Sequence, residues 1–287
     1  MNDQRIAVLT DTGSDCPPDF VAAHDVRVVP LRINYSDGTS YESGVDITTD
    51  EVIARFEQEV PKTSLPSPER ISDELLRAKN DGYTSAVFVS ISSGLSATCD
   101  TVRMVARTME DFPVVVIDTL SIGAAAGMVA MEAVRQIEAG VPLADLERTL
   151  GIVARNTNVF FTVRDLEFLR RGGRISETIY KLGSVLNIKP VLTCDEEGHY
   201  GIAKKARGWE RALDTECKLI EGLAAKYPKV RLAVSCTSAC ADLYDQMEEA
   251  LRERVAVPVV EVVRSEISPA LLVHTGPTLV GVAVQGL

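Results

Sequence analysis

SAVFVSISSGLSATCD, residues 85–100, begins as an apolar, strand-like run, passes through serines and a glycine, and continues as a helix-like stretch. Similar strand-like runs occur at residues 5–10, 26–35 and 113–119, and helical segments lie between them. Strands that alternate with helices indicate a mostly parallel sheet covered by helices. The first half of the chain is therefore predicted to be an α/β unit built on a parallel sheet.

Three helices are predicted in or next to this first unit. One covers residues 67–82, where Ser67 and Pro68 are typical of a helix start. The next covers residues 120–140 and is rich in alanine and glycine, which permits close packing against a neighbour. Two interpretations stay open for that helix: tight packing alone, or packing together with the wall of a ligand tunnel. The third covers residues 142–156 and precedes a strand at 158–163.

The second half has a different pattern, in which two strands within residues 188–207 flank an acidic turn. Further strands are predicted at 230–238, 257–265 and 277–285, and helices at about 176–187, 208–226 and 239–255. We therefore expect an α/β fold with two domains packed against each other across a cleft. The parallel-sheet domain would span residues 1–160, and the mixed-sheet domain residues 161–287.

Composition narrows the range of functions. The chain has 287 residues, 46% of them hydrophobic and 25% charged, with a formal net charge of −11. Nucleic acids and anionic membranes bind basic surfaces, so this charge disfavours extensive binding to either. The sequence contains neither an apolar run of about 18 residues nor a signal-peptide pattern, so we expect a cytoplasmic protein.

The sequence offers little support for a metal or a nucleotide cofactor. Its six cysteines form no Cys-x-x-Cys pair, and Cys194 and His199 lie in a predicted hairpin turn without further ligands. Neither the Gly-x-Gly-x-x-Gly pattern nor the lysine-containing phosphate loop occurs. We therefore expect no cofactor and no metal.

Polar turns follow three of the predicted strands, at residues 10–15, 90–96 and 118–123. Loops at the carboxyl ends of parallel strands meet at one edge of a sheet, where ligands bind. Any one of these turns can be explained by capping alone, but three at one edge indicate a binding site. A helix start surrounded by Ser92, Ser93, Gly94 and Ser96 would suit an anion of modest charge.

Further candidate ligands lie elsewhere in the chain. Thr63 and Ser64 precede a proline-rich helix start, where they are either outward-pointing ligands or ordinary capping residues. His274 and Thr275 lie in a predicted loop, where the histidine is either a ligand or a structural residue. Hydroxyl groups and an imidazole are suitable donors for a buried carboxylate.

A locally basic stretch begins after residue 163. Its side chains either form a solvated rim or bind a phosphate or an acidic partner. The candidates are Arg170, Arg171, Arg174, Lys205 and Arg207.

Taken together, these motifs resemble the DegV family of bacterial fatty-acid-binding proteins. The matching segments are collinear over nearly the whole chain: TDTGSD (10–15), YSDG (35–38), TSLPSP (63–68), ISSGLSAT (91–98), DLEFLRRGGRIS (165–176), LGSVLNIKPVL (182–192), KKARGWERAL (204–213) and HTGP (274–277). Two segments differ from the family pattern. Ser96-Ala97-Thr98 replaces a usual Ser-Gly-Thr, and HTGPTL replaces a commoner Gly-Pro-Gly.

The resemblance implies a DegV-like fold in which a fatty acid lies between two domains, with its tail in an apolar tunnel. It implies that Thr63, Ser93 and His274 bind the carboxylate. Ser64, Ser92 and Thr275 would be near neighbours of that site. Arg207 would lie beside the exposed head group, and Lys205, Arg171 and Arg174 are further candidates for phosphate or partner contact.

The resemblance also implies a carrier role rather than an enzyme. A partner ATP-dependent kinase would phosphorylate the bound carboxylate, and the carrier would deliver the acyl phosphate to an acyltransferase of phospholipid synthesis, with transient membrane contact. Two alternatives stay open. One is an acyl hydrolase in which His274 activates Ser93, although a Gly-x-Ser-x-Gly elbow is missing. The other is a lipid sensor without a kinase partner.

Overall fold

The computed structural model describes residues 2–183 and 187–287, except for the side chain of Leu182. The strands in these ranges are β1 Ile6–Asp11, β2 Arg27–Val29, β3 Arg32–Asn34, β4 Ser40–Glu42, β5 Lys62–Ser64, β6 Ser85–Ser90, β7 Val114–Asp118, β8 Thr157–Val163, β9 Ile188–Cys194, β10 Tyr200–Arg207, β11 Val230–Cys236, β12 Val259–Glu266 and β13 Leu279–Gly286. The α-helices are α1 Pro18–Ala23, α2 Thr49–Arg55, α3 Pro68–Asn80, α4 Thr98–Ala106, α5 Ala124–Glu138, α6 Leu143–Arg155, α7 Glu167–Arg171, α8 Glu177–Gly183, α9 Trp209–Ala224, α10 Leu243–Arg254 and α11 Pro269–Thr275.

The first sheet contains four parallel strands in the order β2-β1-β6-β7. Helices α3 and α4 contact this sheet, and α5 and α6 contact it as well. Strands β1 and β6 are buried along their whole length, which explains why they read as continuous apolar runs. The prediction of a parallel sheet in the first half of the chain is confirmed.

The second sheet has six strands in the order β10-β9-β8-β13-β11-β12. Its neighbours pair in antiparallel fashion except β11 and β12, which are parallel. The predicted mixed sheet is therefore confirmed. The domain boundary expected at residues 160 and 161 falls inside β8, which belongs to this sheet as a whole; the division into two domains stays a prediction.

A third sheet, β4-β3-β5, corrects two expectations. Residues 26–35 form two strands rather than one, because Pro30 separates β2 from β3 and has no backbone N–H to continue a ladder. Thr63 and Ser64 lie in β5, paired with Ile33 and Arg32, rather than in a loop. Each of these strands is only three residues long, so their sequence carries little periodicity.

Helix α5 lies between the two large sheets. It contacts β1 and β6 of the first sheet and β8, β11 and β13 of the second. Its small residues permit this close approach: a Cβ atom added to Gly127 would lie 2.6 Å from the carbonyl oxygen of Ser14. The helix begins at Ala124, four residues later than predicted, because residues 119–123 complete the turn after β7.

Most other predicted helices are present with small shifts at their ends. Ser67 caps α3 by accepting a hydrogen bond from the backbone N–H of Arg70 at 3.2 Å. Helix α10 begins at Leu243 rather than near 239, because a 3₁₀ turn, Ser238–Cys240, comes first. Helix α8 agrees with the prediction for residues 176–183, and the remainder of that prediction includes residues 184–186, which lie outside the described ranges. None of the helices described here is long and apolar enough to cross a membrane.

Candidate functional site

A cavity of about 500 Å³ opens where loops of the first sheet and β5 of the small sheet meet Tyr200 of the second sheet. We call it the hydroxyl cavity. Its walls combine hydroxyl groups, aliphatic side chains, one imidazole, one guanidinium and one carboxylate. The lining residues are Leu31, Thr63, Ser64, Leu65, Ile91, Ser93, Gly94, Leu95, Ser96, Ala97, Asp100, Ile122, Arg174, Tyr200, Ala270, Leu271 and His274.

Two aspartates shape the loop that carries Ser93. The carboxylate of Asp11 accepts hydrogen bonds from the backbone N–H groups of Ile91 at 3.0 Å and Gly13 at 2.9 Å. Complete burial raises the pKa of Asp11 to about 6, although these bonds counteract the shift. Asp118 accepts a bond from the backbone N–H of Ser93 at 3.2 Å. These hydrogen bonds hold the backbone of the loop in place, and the exposed Ser93 lines the cavity.

The serine cluster forms a turn rather than the first turn of a helix. Backbone N–H groups of Leu95 and Ser96 both donate to the carbonyl of Ser92, and α4 begins only at Thr98. The Ser92 hydroxyl is fully buried and donates to the carbonyl of Gly198 at 2.8 Å. Ser92 does not line the cavity; it ties this loop to the acidic turn between β9 and β10.

Thr63 and His274 are brought together from opposite ends of the chain. The Thr63 hydroxyl and His274 Nε2 share a hydrogen bond of 2.6 Å. His274 lies in the last turn of α11, not in the predicted loop, because the helix continues up to Gly276. Burial, helped by the charge of Arg174, lowers the pKa of His274 to about 3, so its ring is neutral near pH 7.

Arg174 supplies the positive charge of the cavity. Its guanidinium donates to the carbonyl oxygens of Gly172 at 2.5 Å and Leu95 at 3.2 Å. Gly172 also packs against the imidazole, since a Cβ atom there would collide with His274 Nδ1. Partial burial lowers the pKa of Arg174 below its ordinary value. A guanidinium stays charged in proteins, so the cavity holds a fixed cation beside a neutral histidine.

A narrow channel of about 30 Å³ adjoins the hydroxyl cavity and shares Ile122, Tyr200 and Leu271 with it. The channel follows the face of the second sheet that packs on the start of α5. Its remaining lining residues are Gly123, Ala124, Val159, Phe161, Ser235, Ile267, Thr275, Leu279 and Gly281. The lining of the channel is mostly apolar and comes from the start of α5, from α11 and from strands of the second sheet.

Sequence reasoning missed Tyr200 and did not place Arg174 at the cavity. Tyr200 is the first residue of β10 and lines both spaces. A buried aromatic residue directly after a turn was the available signal, but only the packing of the two sheets shows where it points. Arg174 was one of several candidate arginines, and nothing in the sequence distinguished it from the others.

The remaining predicted residues lie elsewhere. Thr275 lines the narrow channel, and its hydroxyl donates to the carbonyl of Leu271 at 3.1 Å. Lys205 and Arg207 are exposed on the edge strand β10 and do not line the cavity. Arg171 is exposed and donates to Glu167 at 2.8 Å. The ligand and contact roles of all these residues remain predictions.

A second large cavity, of about 530 Å³, lies beside the end of β1. We call it the acidic groove, because Asp11, Asp15, Asp50 and Glu266 line it and its described lining contains no lysine, arginine or histidine. Burial raises the pKa of Asp15 to about 8. The exposed carboxylates of Asp50 and Glu266 would repel an anionic ligand, so the groove is unsuited to a carboxylate despite its size. Over the described residues, no cluster of three or more His, Cys, Asp or Glu side chains is arranged to hold a metal.

Comparison with known proteins identifies the fold and the family. Residues 5–286 match the model for "Uncharacterised protein, DegV family COG1307". A DegV domain-containing protein of Clostridium acetobutylicum is 30% identical over 283 residues, which cover 98% of this chain and 99% of the relative.

Two solved structures resemble this one closely. The first, described as showing fatty acid binding of a DegV family protein from Thermus thermophilus, is 32% identical, has a TM-score of 0.87, and the match covers 99% of this chain and 100% of the other. The second is a protein from Thermotoga maritima whose structure is described as revealing a fatty acid binding function. It is 25% identical with a TM-score of 0.84, and the match covers 98% of this chain and 99% of the other.

Proposed function

We propose that this chain, which belongs to the DegV family, binds one long-chain fatty acid with its carboxylate in the hydroxyl cavity and its alkyl chain in the narrow channel. The observation that carries this proposal is that the hydroxyl cavity and the narrow channel have lining residues in common. A polar cavity with one fixed cation shares Ile122, Tyr200 and Leu271 with a small, mostly apolar space. The fatty acid binding described for the relatives from Thermus thermophilus and Thermotoga maritima supports the same ligand class.

The carboxylate is bound by Thr63, Ser93 and His274, with Ser64 beside them. Thr63 and His274 already share a hydrogen bond, and Ser93 lines the same cavity. Neutral donors fix the position of the head group, while Arg174 balances its charge, so the cost of removing a carboxylate from water is offset. Ser92 and Thr275 act indirectly, because their hydroxyl groups bond to backbone carbonyls.

The alkyl chain supplies most of the binding free energy. About fifteen methylene groups at about 0.8 kcal/mol each give on the order of 12 kcal/mol before ordering costs. A channel of about 30 Å³ holds only a group the size of a water molecule, so the side chains of Ile122, Ile267 and Leu271 move apart when the chain enters. The energy of burying the chain is large enough to drive that rearrangement.

The bound fatty acid is presented to a partner kinase that phosphorylates its carboxylate with ATP. The protein then carries the acyl phosphate to an acyltransferase of phospholipid synthesis, in the cytoplasm and with transient membrane contact. The exposed cations Lys205 and Arg207 contact the kinase or the phosphate, and Arg171 contributes from α7. The protein itself acts as a carrier without a cofactor.

The geometry disfavours a serine hydrolase at the same site. A nucleophile needs a base within hydrogen-bond reach, and that base needs an acidic partner to orient it. His274 Nε2 is bonded to Thr63 rather than to Ser93. Its Nδ1 is buried without a hydrogen-bond partner among the described residues, so no carboxylate orients the ring.

Fatty acid binding is tested with protein that has been denatured, stripped of lipid and refolded. We expect native mass spectrometry to show one long-chain fatty acid per chain, with a lower affinity for the methyl ester, which lacks the charge. Refolded protein with a native circular-dichroism spectrum that binds no fatty acid from carbon twelve to carbon twenty would refute the proposal.

The kinase role is tested by capture of an ATP-dependent activity from native lysate on the fatty-acid-loaded protein. Acyl phosphate formation is expected, and Arg207→Ala should reduce its rate while the control Arg148→Ala, an exposed arginine on α6, leaves it unchanged. Loaded wild-type protein that yields no acyl phosphate would exclude the kinase role and favour a lipid sensor.

A further inference from the structure

The narrow channel borders a buried cluster of small residues and methionines. Ala124 and Val159 line the channel and also belong to this cluster, whose other buried members are Ala125, Met128, Met131, Ala233, Val263 and Ala283. Met128 is 1% exposed and Met131 is 4% exposed, and we call these two side chains the methionine pair. The cluster is the part of the interior that an alkyl chain would reach next from the channel.

Helix α5 carries the methionine pair on the face that lines the channel. Met128 follows Ala124 by four residues and Met131 follows it by seven, and residues at these spacings lie on one side of a helix. Ala124 itself lines the channel at the start of the helix. The methionine pair therefore lies one and two turns further along α5, beyond the lining of the channel.

The second sheet continues past the channel with small side chains. Gly281 of β13 is paired with Ser235 of β11, and both residues line the channel. Two positions further along these strands, on the same face of the sheet, Ala283 is paired with Ala233. Alanine side chains leave space in front of the sheet, and the methionine pair packs there as part of the same cluster.

A methionine side chain is suited to move aside for a ligand. It is unbranched, has three rotatable bonds and adapts to irregular spaces, whereas a β-branched side chain in a helix is held close to one rotamer. The channel of about 30 Å³ holds only a group the size of a water molecule, so an alkyl chain needs space that side chains vacate. Movement of the methionine pair would extend the channel between α5 and the two alanines of the sheet.

We infer that the methionine pair determines the length of the fatty acid that the protein binds, by forming a movable end wall for the alkyl chain. This inference rests on the proposed fatty acid binding and adds the residues that select the ligand. Each buried methylene group increases the affinity about fourfold, so affinity should rise with chain length until the wall can move no further. A rigid wall would stop this rise at a shorter chain.

The test changes the flexibility and the size of this wall. Met128→Ile keeps an apolar side chain of similar size but restricts its rotamer, and Met128→Ala shortens the side chain. Affinities for laurate, stearate and arachidate are measured below the micelle concentration by competition with a fluorescent fatty acid. We expect Met128→Ile to lower the ratio of stearate to laurate affinity about tenfold, and Met128→Ala to raise the ratio of arachidate to stearate affinity about tenfold.

The same substitutions at Met104 are the matched controls, because Met104 is 53% exposed on α4. Met131→Ala is measured as well, so that a variant that fails to fold leaves a second position to compare. Affinity ratios that stay at the Met104 control values in every folded variant would overturn the inference and leave fatty acid binding intact. If the wild-type protein binds neither laurate nor stearate, the proposed function itself fails.

NMR spectra of protein with methyl-labelled methionine follow the wall directly, since the chain contains six methionines. Loading with stearate should shift the methyl signals of Met128 and Met131. The signal of Met247 should stay in place, because that residue is buried in the core on the opposite face of the second sheet. Signals of the methionine pair that keep their ligand-free positions while stearate is bound would contradict the inference.

Discussion

The hydroxyl cavity and the acidic groove are nearly equal in volume, about 500 Å³ and about 530 Å³. Both lie at the carboxyl ends of strands in the first sheet, the groove beside β1 and the cavity beside β6. They differ in charge: Arg174, neutral hydroxyls and one carboxylate, that of Asp100, which is paired with Arg103, line the cavity, while four acidic residues line the groove. Size and position on the sheet therefore do not distinguish the two spaces, and the proposal of the hydroxyl cavity as the ligand site rests on its cation and its neutral hydroxyls.

The largest effect is expected when a carboxylate, like those that line the acidic groove, is introduced into the hydroxyl cavity. Ser93→Asp would place a carboxylate against the ligand carboxylate, and two like charges about 4 Å apart repel by about 4 kcal/mol near a protein surface. We expect at least a hundredfold loss of fatty acid affinity in a fluorescence competition assay. Ser93→Asn controls for size, and Ser238→Asp adds the same charge to the groove. An equal loss of affinity in Ser93→Asn would show that the shape of the side chain, and not its charge, determines fatty acid binding.

Removal of the cation is the next largest change. Arg174→Gln keeps a hydrogen-bond donor but loses the positive charge, and a hydrogen bond to a charged group contributes about 1.5–3 kcal/mol. We expect fatty acid affinity to fall about tenfold to a hundredfold by calorimetry. Arg171→Gln, on the exposed side of α7, is the matched control. Equal affinities of both variants would remove Arg174 from the site.

A smaller effect is expected when the packing of Gly172 against the imidazole of His274 is disturbed. Gly172→Ala adds a Cβ atom that collides with His274 Nδ1, so the ring moves away from Thr63. We expect about a tenfold loss of affinity and a shift of the His274 ring signals in NMR spectra. Gly201→Ala is the control, because a Cβ atom there meets nothing within 4 Å. Unchanged ring signals in Gly172→Ala would contradict this account of the imidazole position.

The smallest effect concerns the groove and appears in stability. The pKa of Asp15 is about 8 in the folded protein and about 3.8 in the unfolded chain, so folding binds a proton between these values. The contribution of Asp15 to stability is therefore expected to fall as pH rises from about 4 to about 8. Asp15→Asn should flatten this slope and raise the melting temperature by about 3–6 °C at pH 8. The exposed Asp50→Asn is the control, and identical pH profiles for both variants would show that Asp15 ionises normally.

Sequence periodicity was sufficient for the two large sheets. Strands such as β1 and β6 are buried on both faces and read as apolar runs, and the turn between β9 and β10 carries its own acidic, glycine-containing signal. The three-residue strands of the small sheet were missed because so few residues show no alternation. Thr63 therefore looked like a loop residue, although its pairing in β5 directs it toward His274.

The residue types of the candidate site could be predicted from the sequence, but their arrangement in space could be predicted only in part. Hydroxyl-rich turns and one histidine were visible in the sequence, and the structure brings Thr63, Ser93 and His274 to one cavity. Which of several arginines joins them depends on α7 packing near α11, a contact between residues about a hundred positions apart. Tyr200 was missed for the same reason, since its role arises from the packing of the second sheet against the first.

Helix α5 is also important for how the chain folds. Eleven of its fifteen residues are buried, and it supplies apolar surface to both large sheets. Part of the core of each large sheet contains residues of α5, so we expect folding to be cooperative across the whole molecule even though the sheets are formed by separate stretches of sequence. A truncation at the junction near residue 160 would leave the carboxyl-terminal fragment with an uncovered sheet face, and that fragment would aggregate.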